Sequence, residues 1–533
     1  MTETTQSNLQ LAQAYNELPY TSKVFAACQP TRLHALAKIK GLLPPPLETA
    51  KVLEIGCSFG GNLLPFAIRH PNSQLVGIDL SEYQINIGQQ MMEQVGVKNV
   101  ELVAADISQV SFNIKFDYII CHGVFSWVPE AVRHAILKTI QEYLSPNGIA
   151  HISYNTYPGW KIRDVAKELM CFGSNPNLSS LERIDQSFEL LKFTSSILQR
   201  KNADLYKVLS HSFQEIPDKD KFYVAHEYFE DFNQPFYFRE FISQLEAYHL
   251  AYLTDSSFPA IYSDVHFEHD EYEKVCAYFD YRLEAVEQFI DFLNNRSFRH
   301  SIITHQQNLA DKGITNNISQ YNHCHHFYDI YFRTDVRYSP ATDDKDAHWQ
   351  LLDIGAEISD TPLNNLLCTY LQEHNNPCKI GDICEYAKKF PEYDETELYK
   401  LILSIIYSNH VYLCFEPETS TGYDSKPKLF EPYRRLIDLV RHNPNVTGLS
   451  NRYYQVLNLD FLPQYIAQFL DGTRTVKDLI KQLREDIENN TIVLHDENGN
   501  ELSNKKIKDK DLKEVIVRQL DALKEYGYFT EYK

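Results

Sequence analysis

Three acidic residues, each at or just past the end of a short apolar run, carry most of the chemistry legible in this chain. The run Val52–Asn62 (VLEIGCSFGGN) sets Glu54 ahead of Gly56, Gly60 and Gly61. An apolar run ending in glycines reads as a strand and a tight turn, where backbone N–H groups can approach a ligand with no Cβ in the way. A helix starting after the turn adds partial positive charge. Asp79 lies in VGIDLS and Asp106 in VAADI. The first can accept both hydroxyls of a ribose, and the second an adenine amino group. Either alone serves equally well as a helix cap. Three acids at the ends of three successive parallel strands fit a nucleoside crevice better. The expected cofactor contacts are therefore Glu54, Gly56, Cys57, Ser58, Gly60, Asn62, Asp79, Leu80, Asp106 and Ile107, with His122 and Gly123 closing a fourth run.

A second set of residues follows the fourth and fifth strands. The runs are Cys121–Pro129 (CHGVFSWVP) and Asn155–Trp160 (NTYPGW). His122, Trp127, Asn155, Tyr157 and Trp160 are the catalytic candidates. Phe125 and Ser126, with His226, Glu227 and Tyr228 further on, are the substrate-contact candidates. Histidine titrates near neutrality, and aromatic faces suit a cationic or methylated amine. Plainer readings stand beside these. The tryptophans can be packing residues, and His122 a hydrogen-bond partner at a strand end. His226-Glu227 lacks the second histidine of a zinc peptidase. In His323-Cys324-His325-His326 the ligands are adjacent, so a strand or helix splays them. No metal is expected.

These residues need a scaffold, and the pattern supplies one. Strands are expected at Lys51–Ile55, Gln74–Asp79, Val100–Ala104, Phe116–Cys121 and Gly148–Tyr154, with helical runs between them. That alternation predicts a parallel sheet with right-handed crossovers. Two more strands, His249–Ser256 and Phe298–His305, follow a long helical insertion and make seven. The fold class is α/β: a Rossmann-like seven-stranded sheet with a helical lid insertion and mainly helical, winged-helix-like C-terminal modules. The expected divisions are 1–173 for the core and N-terminal arm, 174–248 for the lid, and 249–305 for the end of the sheet. A middle α+β module at 306–420 and a C-terminal module at 421–533, ending in a short strand at Tyr528–Glu531, follow.

Composition excludes other classes. The 533 residues carry 51 Lys+Arg against 72 Asp+Glu, a formal charge of −21, which argues against a phosphate-backbone partner. The N-terminus MTETTQSNLQ lacks a basic segment followed by an apolar run. No run approaches the ~20 apolar residues of a membrane span. The ten cysteines form no CxxC pair, as expected of reduced thiols in a cytoplasmic protein. In the C-terminal module, VKDLIKQLREDI balances acids and bases, so protein docking or homodimerisation is expected there rather than DNA.

The pattern E-x-G-x-x-x-G-G-N, a strand-end Asp and the A-D-I Asp resembles the class I S-adenosylmethionine-dependent methyltransferases, with Ser58 where that family has a further glycine. AYNELPY, CHGVFSWVP, NTYPGW, AHEYFE and FIDFLNNRSFR resemble the bacterial members with a methyltransferase regulatory domain. The rickettsial-type outer-membrane-protein lysine methyltransferases belong to that group. The resemblance implies S-adenosylmethionine as cofactor, a reversed final strand, and an N-terminal arm with Tyr15 and Tyr20 folded over the cofactor. It also implies a protein substrate with exposed lysines. A small-molecule methyltransferase and a cofactor-binding regulator without turnover remain the alternatives. A lysine ammonium, with a pKa of about 10.4, has no lone pair, so the site must take its proton or depress its pKa.

Overall fold

A computed structural model describes residues 22–533 except 220, 230–231, 258–266, 268, 319–326, 343–344, 375–376, 392, 407–410, 416–421, 445–446, 494–507 and 530–533. Tyr15, Tyr20 and the His323–His326 run lie outside the described residues.

The apolar runs pair as one seven-stranded sheet. It comprises β1 (Lys51–Ile55), β2 (Gln74–Asp79), β3 (Val100–Ala104), β4 (Phe116–Cys121), β5 (Leu144–Asn155), β6 (Leu250–Asp255) and β7 (Phe298–His305), in the order β3-β2-β1-β4-β5-β7-β6. The first five are parallel. β7 runs antiparallel to both β5 and β6. A near-continuous apolar strand needs cover on both faces, and the central β1 and β4 are buried along most of their length. The fifth strand begins earlier than expected, because Leu144 already pairs with Phe116 across a register shift.

The crossovers are α1 (Pro30–Ile39) before the sheet, then α2 (Leu64–Arg69), α3 (Glu82–Val95) and α4 (Glu130–Tyr143). Ser81 caps α3 by accepting the Gln84 N–H at 3.2 Å, and Gly96 ends it in the left-handed region. The insertion after β5 is helical: α5 (Gly159–Gly173), α6 (Ser180–Lys201), α7 (Ala203–Glu215), α8 (Lys221–Tyr228) and α9 (Phe238–Glu246). It has a small core of its own, including Met170, Ile184, Leu191, Leu209 and Val224, separate from the main core.

The sheet is completed around one buried cation. Arg299 on β7 pairs with Asp291 at 2.8 Å and Glu287 at 3.0 Å, both on α10 (Leu283–Leu293), and lies over the Phe238 ring at 4.0 Å. Arg296 reaches the same Asp291 at 3.2 Å. The run FIDFLNNRSFR thus contains a buried ion network. Losing one partner would leave an uncompensated buried charge, a cost of about 3–5 kcal/mol.

After the sheet, Tyr331–Arg333, Cys378–Lys379 and Tyr412–Cys414 form a small antiparallel sheet packed with helices. A separate three-stranded meander spans Val336–Ser339, His348–Leu351 and Ala356–Ser359, which the sequence analysis does not anticipate because its strands are four residues long. Helices Glu431–His442, Phe461–Ala467, Val476–Glu488 and Asp509–Glu525 form the C-terminal module. Of the expected strand Tyr528–Glu531, Tyr528 and Phe529 are in a turn, and the rest lies outside the described residues. The ribbon in this module lies earlier, where Leu449–Ser450 pairs with Val456–Leu457. Ser22 joins this module to the glycine turn. Its hydroxyl accepts the Gly61 N–H at 2.8 Å and its carbonyl accepts the Gly448 N–H at 3.0 Å. Among the described residues, no helix is long and apolar enough to cross a membrane.

Candidate active site

The glycine turn leaves β1 with alternating hand. Gly56 and Gly60 have φ of +76° and +80°, and Ser58 between them has +52°. Ser58 therefore holds the conformation a glycine would supply, at some conformational cost. A Cβ on Gly56 would lie 2.3 Å from Val124, so glycine is required there. The Ser58 N–H donates to Asp79 Oδ2 at 2.8 Å, and the Ser81 N–H to Asp79 Oδ1 at 3.0 Å. Both carboxylate oxygens are thus oriented by the backbone at the end of β2, each with lone pairs left over. Burial raises the Asp79 pKa, against these hydrogen bonds.

Glu54 sits deeper. Its Oε1 accepts the Asn62 amide at 2.7 Å, while Oε2 is buried without a partner. Burial lifts its carboxyl to about 8. Asn62 is a hub: its Oδ1 also accepts the Phe25 N–H at 2.8 Å and the Gln29 amide at 2.6 Å. Its side chain is thus engaged by protein partners on both ends of the amide. Cys57 is buried, its Sγ against Gly77, so only its backbone faces the turn. Asp106 accepts the Ser108 N–H at 2.9 Å and hydroxyl at 2.7 Å. Leu80 is half-buried and Ile107 buried. Gly123 has φ +68° with open space where a Cβ would stand. The buried, unpartnered Ser58 Oγ and Glu54 Oε2 and this open cradle fit a polar, nucleoside-bearing group.

The other rim is assembled from distant segments. His122 Nδ1 bonds Ser153 Oγ at 3.1 Å, and its ring stacks on His300 at 5.5 Å. Burial lowers its pKa to about 3, so it is neutral at pH 7 and a poor base. Phe125 is fully buried against Phe236 and Phe241, and Ser126 Oγ accepts the Asn155 N–H at 2.9 Å. Both are buried here and hold the loop in place. Asn155 Nδ2 donates to Asn233 Oδ1 at 2.8 Å, and Asn233 Nδ2 is buried without an acceptor. No motif marked Asn233; only the docking of residues 233–236 onto β5 brings it there.

The aromatic candidates do converge. Trp127 meets Trp160 edge-on at 6.0 Å, and Tyr228 lies 6.5 Å from Trp160. Trp160 is fully buried and Trp127 half-buried. Arg163 stands over Trp160 at 5.8 Å and pairs with Glu227 at 3.6 Å. Burial raises the Glu227 pKa despite that partner. Tyr157, beside Lys161 and Tyr237, is half-buried, and His226 is buried in α8.

Residues 52–148 match a methyltransferase domain, 220–305 a predicted methyltransferase regulatory domain, and 436–528 the PKMT C-terminal winged helix domain. The fold is similar to that of PKMT2 from Rickettsia typhi in complex with AdoHcy, with 28% identity and a TM-score of 0.81, covering 96% of this chain and 100% of that one. An uncharacterized protein of Rickettsia prowazekii is 29% identical over 95% of this chain and 92% of its own length. A second from the same organism is 42% identical over 44% of this chain and 94% of its own length. A likeness running the length of both chains agrees with the strand order and the reversed last strand: the chain belongs to the class I S-adenosylmethionine-dependent methyltransferases that carry a methyltransferase regulatory domain.

Proposed function

We propose that this enzyme N-methylates lysine side chains of a protein substrate in a reducing cytoplasm. The observation that carries this is the full-length likeness to PKMT2, a protein lysine methyltransferase. All nine cysteines among the described residues are free thiols, consistent with that compartment.

S-adenosylmethionine, when bound, supplies a methyl group activated on a sulfonium. Asp79, pre-aimed by two backbone N–H groups, would accept the ribose hydroxyls, and Asp106 the adenine amino group. Gly56, Ser58, Gly60 and Gly123 would let backbone approach the ligand. Glu54, held by Asn62, would offer its free oxygen. Leu80 and Ile107 would flank the base.

The acceptor side has a different task. The half-buried Trp127, backed by the packed Trp160 and Tyr228, supplies apolar surface beside the acceptor; desolvation there lowers a lysine ammonium's pKa. Asn155 positions Asn233. His122 acts as a strand-end partner, because a neutral imidazole with so low a pKa cannot hold a lysine proton. The C-terminal modules, tied to the glycine turn through Ser22, suit docking of the substrate protein or a second copy of the chain.

The test is transfer of labelled methyl from cofactor to a lysate, resolved by size and then by residue. Label on lysine in protein bands supports the proposal. Label confined to small molecules, or none at all, overturns it.

A further inference from the structure

A second chemistry lies beneath the cofactor rim. We propose that Cys28, His122 and His151 form a zinc site tying the N-terminal segment to the ends of β4 and the middle of β5.

One ligand atom from each of these residues lies within 4.8 Å of the others. Cys28 and His151 are fully buried, so this is no accidental surface cluster. Each ligand already has the outer support that a metal site requires. Ser153 Oγ holds His122 Nδ1 at 3.1 Å and leaves Nε2 over. His300 Nδ1 holds His151 Nε2 at 3.2 Å and leaves Nδ1 over. That Nδ1 is buried with no hydrogen-bond partner among the described residues, and a buried ring nitrogen without one is unfavourable. The Asn62 amide donates to Cys28 Sγ at 3.5 Å, as it would to a thiolate, and the Cys28 S–H donates to the Phe25 carbonyl at 3.3 Å, a bond that zinc would replace. Ligating imidazoles bound through their second nitrogen, and a thiolate receiving an N–H, are the usual second layer of zinc sites.

The donor set chooses the metal. One sulfur and two imidazoles are borderline-soft, which suits zinc and disfavours calcium or magnesium. Zinc would draw the three protein donors together to roughly 3.3–3.7 Å, given bonds of about 2.0–2.3 Å in a tetrahedral array whose fourth position water would take. That is a small contraction from the present spacing. Cys28 would exchange its S–H bond for S–Zn and release one proton to solvent; no electron is transferred. The sequence hides the site because its three ligands come from separate elements. Local spacing alone therefore points to no metal.

The test uses the full chain. Purified protein should carry one zinc per chain. After chelation it should take up one cobalt(II), with a thiolate-to-cobalt charge-transfer band, and release one proton per zinc in weakly buffered solution. Cys28→Ser should abolish the band, and His151→Ala should remove stoichiometric zinc. His300→Ala should weaken zinc binding about 10–100-fold while keeping the band. A folded wild-type chain that binds no zinc, or binds cobalt without the thiolate band, overturns the proposal. The cobalt titration needs no variant, so failure of Cys28→Ser to fold would not obscure the outcome. None of these readouts depends on methyl transfer.

Discussion

The two rims of the proposed site are built on different principles. On the cofactor side, Asp79 is held by the N–H groups of Ser58 and Ser81, and Asp106 by Ser108. Its partners lie within or just past the β1–β3 stretch, and most are backbone. On the acceptor side, Ser126 contacts Asn155 and accepts through its carbonyl from Gln234, while Asn155 reaches Asn233. Trp127, Trp160, Arg163 and Tyr228 come from three separate elements. The first rim is a local device that many substrates can share. The second exists only once the helical insertion has docked, so its residues can vary without disturbing the first.

The sharpest break is at the packed end of the acceptor rim. Trp160→Ala should cost about 3–5 kcal/mol of stability, since a fully buried indole leaves a cavity. Thermal unfolding measures it. A loss near zero would mean that the tryptophan is not a keystone of this rim. Next, Asp79→Ala should weaken cofactor binding roughly ten- to hundredfold, from the loss of about 1.5–3 kcal/mol of charge-assisted hydrogen bonding. Calorimetry reads this directly, and an unchanged dissociation constant in a folded variant would remove Asp79 from the cofactor site.

Asn233→Ala separates the rims. It should reduce kcat/KM for the acceptor about three- to tenfold, from about 0.5–1.5 kcal/mol, and leave cofactor affinity alone. Equal loss of both would erase the distinction drawn above.

The smallest effect concerns pH. The Glu54 carboxyl is raised from the usual range to about 8, so the folded state holds its proton longer than the unfolded chain does. Its contribution is intact below about pH 4.5 and is lost as pH rises through about 8. Between about pH 7 and pH 9 the wild type should lose on the order of 1 kcal/mol more stability than Glu54→Gln. Parallel unfolding curves for the two proteins would show that Glu54 is already ionised.

Much of this was legible beforehand, for identifiable reasons. β1, β2, β3, β4 and β7 span the expected residues, and β5 and β6 lie close to theirs, because a strand buried in the sheet is continuously apolar. Asp79 stood out because strand, acid and glycine turn are adjacent in sequence. The packing of Phe125 against Phe236 and Phe241 is not legible in the sequence, because an aromatic after a strand can face either way. The capture of Asn62 by Gln29 is equally illegible, since it joins residues 33 apart.

The sequence by itself determined the sheet, the glycine turn and the acids at its edge, since these depend on periodicity and on neighbours a few residues away. Tertiary structure alone decided that Asn233 meets Asn155, that Trp127 finds Trp160, and that Cys28 comes to lie beside two histidines. Those contacts join segments whose separation along the chain carries no local pattern, and they arise only when burial of the lid and the N-terminal helix brings them together.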